Sequence, residues 1–226
     1  EIRLSLVGSE MCIRDRHEIE RYKESSVVRI GIDSSINKLF WAKMQKMIND
    51  KHSEADFRFS KLDSYIGSRM LRENTLDIYI GYGLNELEQP DEIGEKPLIS
   101  SRIGAYIGLE SSINEQPEFK AKDLERYTRY GTKSYLCSMM NGQKNDPQLL
   151  TQGIELVDNV DTMKLKVEFN DGYALADSQY FSYSDGDMLL LPGYEGECVI
   201  KAFYRKKRNK KKVKEILEEI KNVVNS

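Results

Sequence analysis

The sequence predicts a two-lobe α/β fold with a cleft between the lobes, on three observations. From residue 27 onward, β-branched or aromatic runs alternate with capped segments of helical period. After a polar stretch near residues 85–95 the same alternation starts again, without any repeat of sequence. The closing strand and helix, 197–226, are placed to return to the first stretch.

The first stretch reads βαβαβ. "VVRIGI" at 27–32 is a compact β-branched run suited to a buried strand. "DSS" at 33–35 offers helix N-caps. Ile36, Leu39, Phe40, Met44, Met47 and Ile48 follow at helical spacing. "DFRFSKL" at 56–62 alternates Phe57 and Phe59 with polar residues and predicts a strand. "DSYIGSRMLREN" at 63–74 opens on another cap pair and predicts a helix. "LDIYIGYG" at 76–83 is the third strand, ending on Gly81 and Gly83. Such alternation implies parallel strands with right-handed helical crossovers. The helix N-termini then line the carboxyl edge of the sheet, where ligands bind in open α/β sheets.

The second stretch begins after the loop holding Pro90 and Gly94. "KPLISSRIGAYIG" at 96–108 predicts one or two strands, interrupted near Ser100 and Ser101. "KDLERYTRYGT" at 122–132 gives a helical turn and a strand, and "KSYLCSMMNG" at 133–142 a helix closed by Gly142. A strand at 153–160, a capped helix at 161–172 and short strands at 173–181 and 187–193 follow. "ECVIKAFYRK" at 197–206 is the last strand. The final helix places Val213, Ile216, Leu217, Ile220, Val223 and Val224 on one face.

Composition narrows the function classes. Charged residues make up 31% and hydrophobic ones 39% of 226, a globular rather than disordered balance. The longest apolar run is far too short to span a bilayer, so no membrane partner is expected. A net charge of -3 gives no global argument for nucleic-acid binding. Cys12, Cys137 and Cys198 have no CxxC spacing, and the two histidines are His17 and His52. No metal, no cofactor and no disulfide framework is expected, and a reducing cytoplasm fits. The run "RKKRNKKK" at 205–212 reads as a solvated turn between strand and helix. Met44, Met47, Met139 and Met140 read as core packing.

The opening "EIRLSLVGSEMCIRDR" has neither helical nor strand period and no signal-peptide pattern. Leu6 to Asp15, LVGSEMCIRD, resembles one translated frame of a sequencing-library adapter. Glu1 and Ile2 fit the flanking primer, with Arg3 and Leu4 where an index would sit. Residues 1–16 are therefore read as non-native and excluded from fold reasoning.

Taken in order, the remaining segments resemble the effector-binding domain of LysR-type transcriptional regulators. "VVRIGIDSS" resembles that family's first strand and effector-binding turn. "FSKLDSYIGSRMLRENTLDIYIGYG" is similar to its second strand, helix and third strand. "EKPLISSRIGAYIG" resembles the strand that crosses to the second lobe, and "KDLERYTRYGT" a segment that opens it. "VEFNDGYALAD" is similar to a late glycine-containing element, departing from it at Tyr173 and Asp177. "CVIKAFYRK" resembles the strand before the terminal helix. Each pattern is weak alone; their order and spacing carry the likeness.

The resemblance implies a two-lobe, periplasmic-binding-protein-like fold (type 2). Residues 27–99 and 197–226 would form lobe I, residues 100–196 lobe II, and residues 17–26 the end of a linker helix. It further implies an N-terminal winged helix-turn-helix that this chain lacks. DNA would be bound only through that missing domain. The effector domain would form a homodimer or homotetramer and sense a small, anionic molecule in the cleft. Ser34, Ser35 and Ser64 would offer hydroxyls, with free backbone N–H groups at the first turn. Tyr82, Thr132 and Lys133 would face the cleft. Asn170 would orient a ligand or, by the preferred reading, cap a turn. Two other classes remain: an extracytoplasmic solute-binding protein of a transporter, and an enzyme. The enzyme reading finds no base near a nucleophile, no phosphate loop and few histidines.

Overall fold

The computed structural model describes residues 27–52, 56–84, 91–115, 121–132, 153–181, 186–190, 197–206 and 210–224. The adapter-like stretch, the linker-helix segment, Lys133, Cys137 and the helix expected at 133–142 lie outside the described residues.

The strands are β1 (Val28–Asp33), β2 (Phe57–Leu62), β3 (Ile78–Gly81), β4 (Ile93–Gly108), β5 (Arg129–Thr132), β6 (Ile154–Val157), β7 (Tyr173–Asp177), β8 (Gly186–Leu190) and β9 (Glu197–Arg205). The α-helices are α1 (Lys38–Lys51), α2 (Ser64–Arg72), α3 (Val160–Phe169) and α4 (Lys210–Val224). Two short 3-10 turns, Ser112–Glu115 and Ala121–Arg126, lead into β5.

Two sheets share one long strand. In the first, β1 pairs in parallel with β2 and β3, and β3 pairs antiparallel with β9. β9 then pairs antiparallel with β4, from Ile93↔Arg205 to Arg102↔Glu197. In the second, β5 pairs in parallel with β6 and β7. β7 pairs antiparallel with the end of β4, from Ile103↔Asp177 to Ile107↔Tyr173, and β8 covers its other edge. The orders β2-β1-β3-β9-β4 and β6-β5-β7-β4-β8 are the same plan used twice. β4 is the strand that pairs in both sheets, and β9 runs beside its first part up to the point where β7 takes over.

The interruption expected near Ser100 and Ser101 is a register shift between Pro97 and Ile99 within one continuous strand. Proline has no N–H to give the ladder, so the pairing slips there and resumes. Ser100 and Ser101 pair normally with Val199 and Cys198.

α1 buries Phe40, Met44 and Ile48, one residue per turn. Each such burial contributes about 1.5–3 kcal/mol. Leu39, expected on that face, is 76% exposed. Helix α1 starts later than "DSS" suggested: its N-cap is Asn37, whose Oδ1 accepts from the Phe40 N–H at 2.9 Å. Leu39 lies about 100° round the helix from Phe40 and so faces water. In α4, Val213, Ile216, Leu217 and Ile220 are buried as the spacing predicts. The His52 ring at the end of α1 meets the Glu219 carboxylate of α4 at 2.6 Å. No helix among the described residues is long and apolar enough to cross a membrane.

β7 is shorter than the strand expected at 173–181. Asp177 stops it, because its Oδ1 accepts from the N–H groups of Gln179 and Tyr180, both at 2.8 Å. An Asp side chain that takes N–H groups two and three residues on builds a turn in place of a ladder. That turn docks on the one after β1. Ile36 bridges to Phe181, the Asn37 N–H donates to the Tyr180 carbonyl at 2.7 Å, and Asn37 Nδ2 donates to the Gln179 carbonyl at 3.1 Å.

Candidate functional site: the inter-lobe cleft

Because the two sheets repeat one plan, equivalent strand ends face each other across the gap between lobes. The cavity there has a volume of about 530 Å³. Ser34, after β1, and Asp63 and Tyr65, at the start of α2, form one wall. Thr132, ending β5, and residues Leu156 to Asp161, from β6 into α3, form the other. The site thus lies at the carboxyl ends of parallel strands in both sheets, where backbone donors and helix N-termini converge.

The floor under Ser34 is a buried polar network. Asp33 Oδ1 accepts from the Ser35 N–H at 2.9 Å and from the Ser35 hydroxyl. Its Oδ2 accepts from the Tyr79 hydroxyl of β3. Burial pushes the Asp33 carboxyl up, with hydrogen bonds from Ser35 and Tyr79 working the other way. Burial first, and the Asp33 charge second, push the Tyr79 hydroxyl well up. Tyr79 is in turn wedged beneath α2. A Cβ on Gly67 would stand 2.4 Å from the Tyr79 ring, so only glycine lets the helix lie this close.

The helix starts at the cleft are capped from within. Asp63 Oδ1 accepts from the Ile66 N–H at 2.8 Å. Asn159 Oδ1 accepts from the Thr162 N–H at 2.8 Å. At the first turn, the Ser34 N–H donates to the Leu62 carbonyl at 2.7 Å and the Ser35 N–H to Asp33. The free backbone donors expected at Ser34 and Ser35 are therefore already engaged.

Of the residues singled out in the sequence, Ser34 and Thr132 line the cavity. Ser35 is buried beneath it on Asp33. Ser64 is 4% exposed in the first turn of α2, and its hydroxyl has no hydrogen-bond partner among the described residues. Tyr82 is buried within the main apolar cluster. Asn170 is the C-cap of α3, at the end of the helix away from the cavity, with its N–H donating to the Lys166 carbonyl. Lys133 lies outside the described residues. The sequence reading did not single out Tyr65, Leu156, Asp158 or Asp161. The signal for them was the second strand–cap–helix junction, "LVDNVD", which mirrors "KLDSY" of the first lobe.

No family sequence model and no curated protein matches the chain. Solved structures do match its fold. The BenM effector-binding domain with its effector benzoate aligns at a TM-score of 0.64 with 14% identity, over 88% of this chain and 92% of that one. The oxidized form of OxyR aligns at 0.69 with 12% identity, over 88% and 96%. A full-length BenM mutant aligns at 0.66 with 14% identity, over 98% of this chain and 76% of its own. The chain has the two-lobe, periplasmic-binding-protein-like fold of LysR-type effector-binding domains.

Proposed function

We propose that this chain is the ligand-sensing domain of a LysR-type transcriptional regulator and closes its two lobes on a small-molecule effector. The observation that carries the reading is the cleft, formed by equivalent strand ends of both lobes on a fold shared with effector-binding domains. Closure would pivot where β4 passes from β9 to β7, at Arg102 and Ile103. The docked turns at Asn37 and Tyr180 would keep the lobes in register. An effector shifts such an equilibrium only through its preference for one state.

The likeness to regulator domains over most of the chain favours this reading over a transporter's solute-binding protein. DNA contact would belong to an N-terminal domain preceding residue 17. Leu39, Leu165 and Phe169 are exposed large apolar groups, a feature suited to contact between effector domains of two copies. A thiol switch is not favoured at Cys198, which is buried and whose thiol burial pushes up, away from the reactive thiolate.

A small-molecule library read by thermal shift tests the reading. A ligand at about a hundred times its Kd adds about 2.7 kcal/mol of stability. The stabilisation should vanish in Leu156→Trp, which fills the cleft from an exposed position. Ligands that stabilise this variant as well as the parent chain would refute the cleft as the sensing site.

A further inference from the structure

We infer that Lys164 is a modification site, whose amine takes an acyl group from an acyl phosphate drawn in by Lys61. This chemistry does not depend on what the cleft binds. Lys164 stands in the middle of α3, one turn beyond the cavity-lining Asp161. Its Nζ lies 5.4 Å from the centre of the Phe181 ring. Phe181 is buried and bridges to Ile36 in the docked turns. A ring face attracts an ammonium, but it offers no carboxylate oxygen to the N–H groups and keeps water from one side of the amine.

The carboxylate that would ordinarily hold this amine is engaged elsewhere. Glu168 follows four residues on, the spacing at which acid and base pair along a helix. Its Oε1 accepts instead from the Tyr106 hydroxyl of β4. Lys164 makes no salt bridge among the described residues. Lys166 on the same helix is the contrast: its Nζ meets the Glu155 carboxylate at 2.7 Å, and that bond pushes its amine up.

Lys61 completes the cluster from the other lobe. It pairs with Ile32 near the carboxyl end of β2, is exposed, and makes no salt bridge among the described residues. Burial pushes the Lys164 amine down from the usual lysine range, and the Lys61 charge adds to the push. Asp161 and Glu168 act the other way without reversing it. A lysine that is partly desolvated and faces a second cation is the kind that becomes a nucleophile.

The step needs only the acyl phosphate and water. The Lys164 lone pair attacks the acyl carbon and a C–N bond forms. The C–O bond to the phosphate breaks, inorganic phosphate leaves, and the amine proton passes to water. Lys61 gives the donor's phosphate a charge-assisted partner. The amide product is uncharged, so the like charges that face each other from the two lobes here are reduced to one.

Reaction of the whole chain with acetyl phosphate, followed lysine by lysine by peptide mass spectrometry from neutral to alkaline pH, tests the inference. Lys43 and Lys46, exposed on α1, are the references. Lys164 should react severalfold faster than either, and its rate should level off at lower pH. Tyr106→Phe frees Glu168 to hold the amine and should slow Lys164 severalfold, with an unchanged circular-dichroism spectrum certifying the fold. Lys61→Gln should slow acetyl phosphate more than the uncharged acyl donor N-acetoxysuccinimide. Reaction of Lys164 no faster than the references with both donors would overturn the inference. A preference for Lys164 with N-acetoxysuccinimide alone would overturn the acyl phosphate as donor. Equal slowing of the two donors in Lys61→Gln would overturn the part given to Lys61.

Discussion

The β2–α2 junction of the first lobe and the β6–α3 junction of the second are equivalent in topology and differ in how they are stiffened. In the first, α2 rests through Gly67 on Tyr79, and Tyr79 is tied to the buried Asp33. In the second, α3 is anchored at its far end, on the surface. Asp171 there accepts from the Ser111 hydroxyl at 2.7 Å, the Ser112 N–H at 2.9 Å and the Ser112 hydroxyl at 2.7 Å. One jaw is held from inside by a polar network that costs desolvation. The other is held by Met163 and Val167 in the core, by the Tyr106 hydroxyl donating to Glu168, and by these outer bonds that water also reaches.

Removing the internal tie is the largest expected break in this contrast. Tyr79→Phe leaves Asp33 Oδ2 buried without its donor and should cost about 1–3 kcal/mol in urea unfolding. A cost within error of zero would show that the network does not brace the first lobe.

The two asparagine caps come next. Asn37→Ala and Asn159→Ala each lose a cap, about 1 kcal/mol. Asn37 also donates from Nδ2 to Gln179 of the other lobe, so its substitution should cost more of the two. Equal losses would mean that the docked turns add nothing to stability.

The pH dependence should differ in sign between the two acids. Asp33 is raised in the folded chain by burial, so its contribution is most favourable below the ordinary carboxylate value, about 3.9. It declines as pH rises toward the raised folded value. Asp171 is lowered, chiefly by the Ser111 hydroxyl. Its contribution is present above about 3.9 and is lost as pH falls through the depressed folded value. Melting temperature against pH should accordingly show a slightly shallower acid-side fall in Asp171→Asn and a shallower fall on the neutral side in Asp33→Asn. As Asp171 is exposed, its effect should be the smallest, and screened further by salt. Identical profiles for the two variants would dissolve the distinction between inner and outer anchoring.

Much of this was legible from local pattern. The β-branched run at 27–32, the Phe57 and Phe59 alternation and the buried face of α4 were all placed correctly by period. Strand and helix periods report which side chains share a face, and burial follows from that. Positions decided by competition for hydrogen bonds were not legible. "DSS" looked like a helix start, but Asp33 captured Ser35 and the cap passed to Asn37. Tyr82 looked like a cleft residue and became core. Ser34 and Thr132 line the cavity because they stand at strand ends, which local pattern marks, whereas the lining by Leu156 to Asp161 follows only from a second strand end facing the first.

The sequence by itself determined the alternation of strands and helices, the two-unit plan and the carboxyl-edge location of the cleft, since these follow from periodicity, capping residues and the handedness of crossovers. Tertiary structure alone decided which N–H groups at that edge stay free and which acids meet across it. The reason is that hydrogen-bond partners such as Leu62 for Ser34, and neighbours such as Asp63 for Asp158, are far apart in the chain: the first are chosen only when β1 pairs with β2, the second only when the two lobes pack.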